Sequence, residues 1–292
     1  MFKTFFKKKI KFILPDILYS FFINIDIISL QKTKPEYFID DYEISSVYGC
    51  FPFSIWSLEP NKKYISEQNL KKYIGFYKKS GISINYLFDV ENITCEELND
   101  TFSNLLLKLA HDRKNSVIVK SDLLIKYIKK NYPKYKIIKY DSQFISDDFL
   151  NHLKIWNKRN INVVLNSLCP LNCEYRDFHN KYSEAEKKNF SACEKIFPCP
   201  LQASTNFYSA QKNSNFVDKS KLADLIKKGY RNFVISDNKI LANTMVKYSS
   251  FDIIESYVYY LIKPQYATIV KNILINNHLK REKKYGTKNE KE

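Results

Sequence analysis

Seven short runs of β-branched and aromatic residues punctuate this chain: KFILP at 11–15, YEISSVY at 42–48, ISINYLFD at 82–89, SVIVK at 116–120, KIIKY at 136–140, NVVLN at 162–166 and NFVIS at 232–236. Helical patterns lie between most of them. One begins at Ser66 and sets Leu70, Tyr73, Ile74 and Tyr77 on one face. A second opens with Thr94 and Glu97, a capping box in which each side chain satisfies an orphan helix amide, and its stripe is Leu98, Phe102, Leu105, Leu106 and Leu109. A third starts at Ser146 and carries Phe149, Leu150, Leu153 and Trp156. A fourth, Lys219 to Lys228, buries Leu222, Leu225 and Ile226 and stops at Gly229.

Strands that alternate with helices form parallel β-α units, covered on both faces and therefore apolar along their length. The count predicts an α/β chain with a (β/α)8, TIM-barrel-like fold; its missing seventh strand falls in 200–210, PLQASTNFYSA. A doubly wound open sheet is the alternative. FDIIESYVYYLIKPQYATIVKNILI, at 251–275, reads as two helices split at Pro264. No repeat or linker interrupts the pattern. We therefore expect one domain over 1–292: barrel at about 10–250, C-terminal helices at 250–277, and a charged, frayed tail at 278–292.

Composition narrows the functions. The formal charge is +16, yet only five of the 47 basic residues are Arg, and Lys, Ile, Asn, Tyr and Phe are abundant together. That mixture reads as a bias towards A- and T-rich codons. It gives no strong nucleic-acid signal, because Arg is the better bidentate reader of phosphate and guanine. The five glycines, Gly49, Gly75, Gly81, Gly229 and Gly286, are far apart. Neither a G-x-G-x-x-G turn nor a P-loop can be built from them. In MFKTFFKKKIKFILPDILYSFF a basic head precedes an apolar run broken by Pro15 and Asp16, with Asp26 beyond, so we expect no signal peptide and no transmembrane segment. The expected compartment is the cytoplasm, where thiols stay reduced and clustered cysteines point to metal before disulfide.

Cys50 and Cys95 are isolated and read as small buried hydrophobes. Cys169, Cys173, Cys193 and Cys199 fall within 31 residues, the first two directly after NVVLN, where strand-to-helix loops of a barrel converge. In FPCPL the flanking prolines stiffen the backbone around Cys199. The first pair, C-x3-C, suits zinc, whereas the looser C-x5-C of the second suits a cubane [4Fe-4S] cluster better. Thiols without metal are the third reading. The radical S-adenosylmethionine signature ranks lower: Arg176 stands where its third cysteine would be, and the motif follows the sixth run and not the first. Arg176 and His179 share a face of any helical turn after Cys173. Beside a metal, Arg176 would hold an anionic substrate group and His179 would transfer protons as the catalytic residue. Asn166, which closes NVVLN, is placed with Arg176 as a substrate contact. His111, His152 and His278 look unexceptional.

YEISSVYGCFP, NSLCPLNCEYRDFH, the CPL at 199–201, GYRNFVIS and IESYVYYLIKP together resemble the collagenase-like peptidases, family thirty-two of the unassigned peptidases, over roughly residues 10–275. Uncharacterised bacterial barrel proteins similar to that family are nearer still. The resemblance implies an iron–sulfur barrel with four cysteine ligands, of the kind that supports hydroxylation of RNA bases or of a quinone precursor. Two segments depart from the family pattern. WSLEP at Trp56–Pro60 stands where similar proteins tend to read WNGGR, and FVISDN at Phe233–Asn238 where they tend to read FKIEGR. Both have lost an arginine and flexible glycines.

The expected function is a metal-binding barrel, a redox or hydroxylation-type enzyme acting on a nucleic-acid base or small anionic substrate. The alternative is a non-catalytic binding or scaffold barrel with a structural metal or reduced thiols. Peptide hydrolysis ranks below both: no H-E-x-x-H, Ser-His-Asp order or carboxylate pair stands out. If the lysine excess is coding bias, titration with a structured RNA over a salt series will show weak binding and a shallow slope. A steep fall, roughly 0.9 log units per neutralised phosphate, overturns that reading.

Overall fold

A computed structural model describes residues 9–51, 53–57, 65–140, 144–145, 161–170, 214–236 and 250–286. Its strands are β1 (Ile10–Leu14), β2 (Tyr42–Gly49), β3 (Ser83–Phe88), β4 (Ser116–Val119), β5 (Lys136–Lys139), β6 (Phe144–Ile145), β7 (Asn162–Val164), β8 (Asn166–Pro170), β9 (Ser214–Phe216) and β10 (Asn232–Val234). Its helices are α1 (Phe21–Thr33), α2 (Glu67–Ser80), α3 (Thr101–Leu109), α4 (Asp122–Asn131), α5 (Lys219–Lys227), α6 (Ser250–Leu261) and α7 (Ala267–Gly286). Eight strands make one sheet in the order β5-β4-β3-β2-β1-β10-β7-β6, and every neighbouring pair is parallel. β8 and β9 form a separate antiparallel ribbon.

The two edges of that sheet, β5 and β6, are consecutive in the chain and joined only by residues 140–143. Seven strand spacings of about 4.8 Å would hold the edges of a flat sheet about 34 Å apart. Five extended residue steps from Lys139 to Phe144 reach at most about 18 Å. The sheet must therefore curl, and it does so as a partial barrel. A flat doubly wound sheet is incompatible with that short link. Four residues are also too few for a helical crossover, which takes a dozen or more, and the seam lies at this point. On the β5 edge Lys136 and Lys139 are exposed, a charge arrangement that discourages further strand pairing.

The strand missing from the seven apolar runs is thus Phe144–Ile145, sixth in the chain and at the edge of the sheet. NVVLN supplies the seventh strand of the sheet, one place later than the sequence count, while NFVIS keeps its place as the eighth. The segments 200–210 and 146–160, expected to hold a strand and a helix, lie outside the described residues.

Curling gives the sheet two unlike faces. The outer face is largely apolar: Phe12, Val47, Tyr86, Phe88, Val117 and Phe233 are buried against the helices in one continuous core. The inner face carries a smaller cluster, Ile13, Tyr48 and Val234, with Leu87 and Val164 partly covered. Beside it runs a polar ladder across three strands, in which Asn85 Nδ2 donates to Ser46 Oγ at 3.0 Å and the Ser116 hydroxyl donates to Asn85 Oδ1.

Local signals explain the helices, with one correction. Ser66, Asp100, Ser121 and Asp218 each cap α2, α3, α4 and α5 by accepting a backbone N–H. The Thr94–Glu97 capping box forms in both directions, at 2.7 and 3.3 Å. It closes only a 3-10 turn, Glu97–Asn99, and Asp100 starts α3 afresh. The restart rotates the buried stripe, so Leu106 and Leu107 are covered and Leu105 is not in the core. The C-terminal helices do split at Pro264, but α7 continues through Gly286 and past the expected frayed boundary. Arg281 anchors it to α1 through a two-pronged ion pair with Asp26, at 2.6 and 2.7 Å.

After β1 the chain turns sharply at Asp16, a residue with φ of 52°. Its buried carboxylate accepts from the amides of Leu18, Tyr19 and Ser20, which orients the start of α1. Asn24 of α1 clasps the carbonyls of Pro15 and Asp16. The neighbouring end of β2 comes so close that a Cβ on Gly49 would lie 2.9 Å from the Ile17 amide nitrogen. Gly49→Ala is expected to cost about 1–3 kcal/mol of stability. Gly75→Ala, in open space within α2, should instead stabilise by up to about 1 kcal/mol. Denaturant unfolding of the two variants checks both signs.

Candidate functional site

Because the strands are parallel, their carboxyl ends share one rim, and the loops that leave it can converge on a ligand. Burial alternates without a break from Ile82 to Val90, which carries Asp89 onto the same inner face as Leu87. The ladder continues one step past β4, where the Lys120 amide donates to the Phe88 carbonyl at 3.1 Å. Lys120, the residue after β4, therefore follows the register beside Asp89. Its ammonium pairs with Glu91 at 3.0 Å, with only 18% of the side chain exposed. Cys50, half-buried, follows β2 at the same rim. Cys95 is exposed, contrary to the expectation of a small buried hydrophobe: it lies in the loop before the 3-10 turn, outside the helix whose face is covered.

The loop after β2 is pinned onto the loop after β3. Trp56 is fully buried, and its indole N–H donates to the Glu97 carbonyl at 2.8 Å. Ser57 donates to the Leu87 carbonyl at 2.7 Å, and the Val90 amide to the Trp56 carbonyl at 3.2 Å. Ser54 and Ser103 share a buried hydrogen bond of 2.6 Å. The segment WSLEP thus begins with an anchor. Trp56 and Ser57 serve packing and hydrogen bonding, and Leu58–Pro60 lie outside the described residues.

At the carboxyl end of β7 the chain leaves the sheet. Asn166 sits there, 1% exposed. Its Nδ2 donates to the Ser236 carbonyl at 2.8 Å and to Ser256 Oγ at 3.1 Å, and its Oδ1 accepts the Ser236 amide at 2.6 Å. The side-chain amide thus pairs with the backbone of Ser236, extending the β7–β10 contact after β8 has turned away. Ser236, the next inner-face position after Val234, lies within FVISDN. Cys169 belongs to β8, three residues past Asn166. Tyr260 of α6 shares its hydroxyl between the Leu165 and Val217 carbonyls, at 3.1 and 2.8 Å. Burial pushes that phenol well above its ordinary pKa, so it stays a neutral donor.

Of the residues expected to act, Asn166 and the backbone of Cys169 fall among the described residues. Cys173, Arg176, His179, Cys193 and Cys199 lie outside them. Among the described residues no group of three or more His, Cys, Asp or Glu is arranged to hold a metal ion, and no helix is long and apolar enough to cross a membrane. No protein-family model, curated protein or solved structure matches the chain.

Asp89 and Lys120 were missed as rim residues, although counting two positions past Leu87 and Ile118 along the inner face would have found them. Ser256 and Tyr260 had no such signal, because their partners Asn166 and Leu165 are 90 and 95 residues away. Replacing Trp56 by Ala is expected to cost about 3–5 kcal/mol, since it removes both a buried ring and a satisfied N–H. Chemical denaturation measures the loss.

Proposed function

We propose that this chain is a (β/α)8-like barrel, open at the β5–β6 seam, which binds a metal group at the carboxyl rim of its strands and acts on a small anionic substrate or a nucleic-acid base. The observation that carries the reading is the path of the chain at Asn166. The segment bearing all four clustered cysteines leaves the sheet there, at its carboxyl rim, and rejoins it through β9 and α5. Four thiolates are a donor set suited to a [4Fe-4S] cluster or to zinc. On this reading Cys169, Cys173, Cys193 and Cys199 hold the group. When bound, an iron–sulfur cluster supplies one-electron redox chemistry.

The remaining roles belong to side chains. Arg176 binds an anionic substrate group through a planar fork of charge-assisted hydrogen bonds. His179 moves a proton at its imidazole. The described rim contributes Lys120, whose ammonium is paired with Glu91, and Asp89, its neighbour in the strand register. The reduced cysteines this scheme needs agree with a cytoplasmic location. A second reading, a scaffold barrel, draws on Asn166, whose amide serves backbone and helix partners of its own chain.

Protein purified without oxygen should be coloured and contain iron and acid-labile sulfide, and each of the four Cys→Ala changes should lower both. Colourless protein with stoichiometric zinc, or without metal, supports the scaffold reading. In the enzyme, Arg176→Lys should weaken substrate binding about tenfold while leaving metal content unchanged; on the scaffold reading it is silent.

A further inference from the structure

At the amino ends of β3, β4 and β5, opposite the carboxyl rim, three connections meet: the end of α2, residues 110–115 and residues 132–135. Asn115 braces the first two strands, because its Oδ1 accepts the Ile84 amide at 2.8 Å and its Nδ2 donates to the Ala110 carbonyl at 2.8 Å. The Lys134 amide donates to His111 Nε2 at 3.2 Å, and the Lys136 amide to the Asn115 carbonyl at 3.2 Å. The His111 ring also stacks on Tyr135, with centroids 5.5 Å apart. The three connections therefore form one braced surface.

That surface carries six cations, Lys78, Lys79, Arg113, Lys114, Lys134 and Lys136, and every one is exposed. Its one acid is Asp112. The Lys114 amide donates to Asp112 at 2.9 Å, and this bond, with the charges of Lys78, Lys114 and Lys134, holds the carboxyl below its usual range. Cations from all three connections thus act on a single carboxylate. Among the described residues none of the six has an ion-pair partner, whereas Lys11, Lys71, Lys120, Lys139, Lys263 and Arg281 each pair with a carboxylate elsewhere. Two ordinary causes cover part of this pattern. Codon bias sets how many lysines the chain has, and Lys78 and Lys79 complement the dipole at the end of α2. Neither cause gathers Arg113, Lys114 and Lys134, unpaired, around one acid. Like charges held together repel, and a polyanion relieves that repulsion.

We infer that this end of the sheet binds the phosphate backbone of a nucleic-acid duplex. Lysines are compact charges on flexible stems, so they neutralise phosphates without reading bases, and the contact is independent of sequence. A membrane surface fits less well. Stable attachment there adds an inserted apolar group to the charge, and the exposed large apolar side chains among the described residues, Phe53, Ile55, Phe251, Ile269 and Leu279, all lie outside these connections. The inference needs neither the cysteines nor a metal.

The test compares two double variants with the same loss of charge. Lys114→Gln with Lys134→Gln removes two cations from the surface, and Lys32→Gln with Lys280→Gln removes two exposed cations from α1 and α7. Each protein and the parent are titrated with a double-stranded DNA oligonucleotide of mixed sequence over a salt series. The parent's affinity is expected to fall steeply with salt. The surface double should bind about tenfold more weakly and flatten the log–log slope by about 2, at roughly 0.9 per lost phosphate contact, with the control double close to the parent. Equal losses in the two doubles, or a shallow parent slope, overturn the inference. So does a parent that binds phosphatidylserine vesicles through the same two lysines and leaves DNA unbound, which assigns the surface to membranes. Thermal unfolding checks that the variants fold. Should the surface double fail to fold, Lys78→Gln with Lys79→Gln takes its place, with the same expected sign and the same overturning results.

Discussion

A link of four residues, 140–143, sets the shape of this protein. It joins strands at opposite edges of an eight-stranded parallel sheet, and it is about half as long as a flat sheet would require. Curling is the solution, and it creates two environments from one sheet. The convex face is covered by helices and is largely apolar. The concave face is narrow, and it mixes a small apolar cluster with the polar ladder of Ser46, Asn85 and Ser116. A parallel sheet bent in this way also gathers its carboxyl ends into one rim, where loops can meet.

What happens at that rim is governed by hydrogen bonds between distant parts of the chain. The loop that begins with Trp56 is fastened to the β3–α3 connection, and the exit from β1 is fastened by Asp16 and Asn24. The exit from β7 is fastened by Asn166 and Tyr260. Each fastening satisfies polar groups that would otherwise be buried without partners, at a cost of about 1–3 kcal/mol apiece. These loops therefore have a defined base, and the cysteine-rich segment departs from one of them. This separates two kinds of work at the rim. Asn166 and Tyr260 use their polar atoms to hold backbone in place, whereas Asp89 and Lys120 directly follow β3 and β4.

Elements written in local patterns were legible. The Ser66 and Asp218 caps, the split at Pro264 and the reversal at Gly229, with φ of 100°, follow from residues within a turn of one another. Local patterns also misled. The Thr94–Glu97 box forms as expected, but Asp100 competes for the next helix start and wins, which moves Leu105 off the buried stripe. The charged end of α7 reads as frayed because nothing near Arg281 in sequence suggests a partner; Asp26, 255 residues earlier, holds it. Phe144–Ile145 escaped notice because two residues are too short a run to register as a strand without a neighbour.

Periodicity and turn chemistry act over a few residues, so strand-helix alternation, the parallel class of the sheet and the clustering of four cysteines after NVVLN could be read directly from the amino-acid order. So could the exclusion of glycine-rich phosphate loops. The strand order, the curl and the placing of Ser236, Ser256 and Tyr260 around Asn166 arise only when residues 70 to 95 positions apart meet. Such contacts leave no local trace, because a buried serine or tyrosine looks the same in sequence whichever distant amide it satisfies.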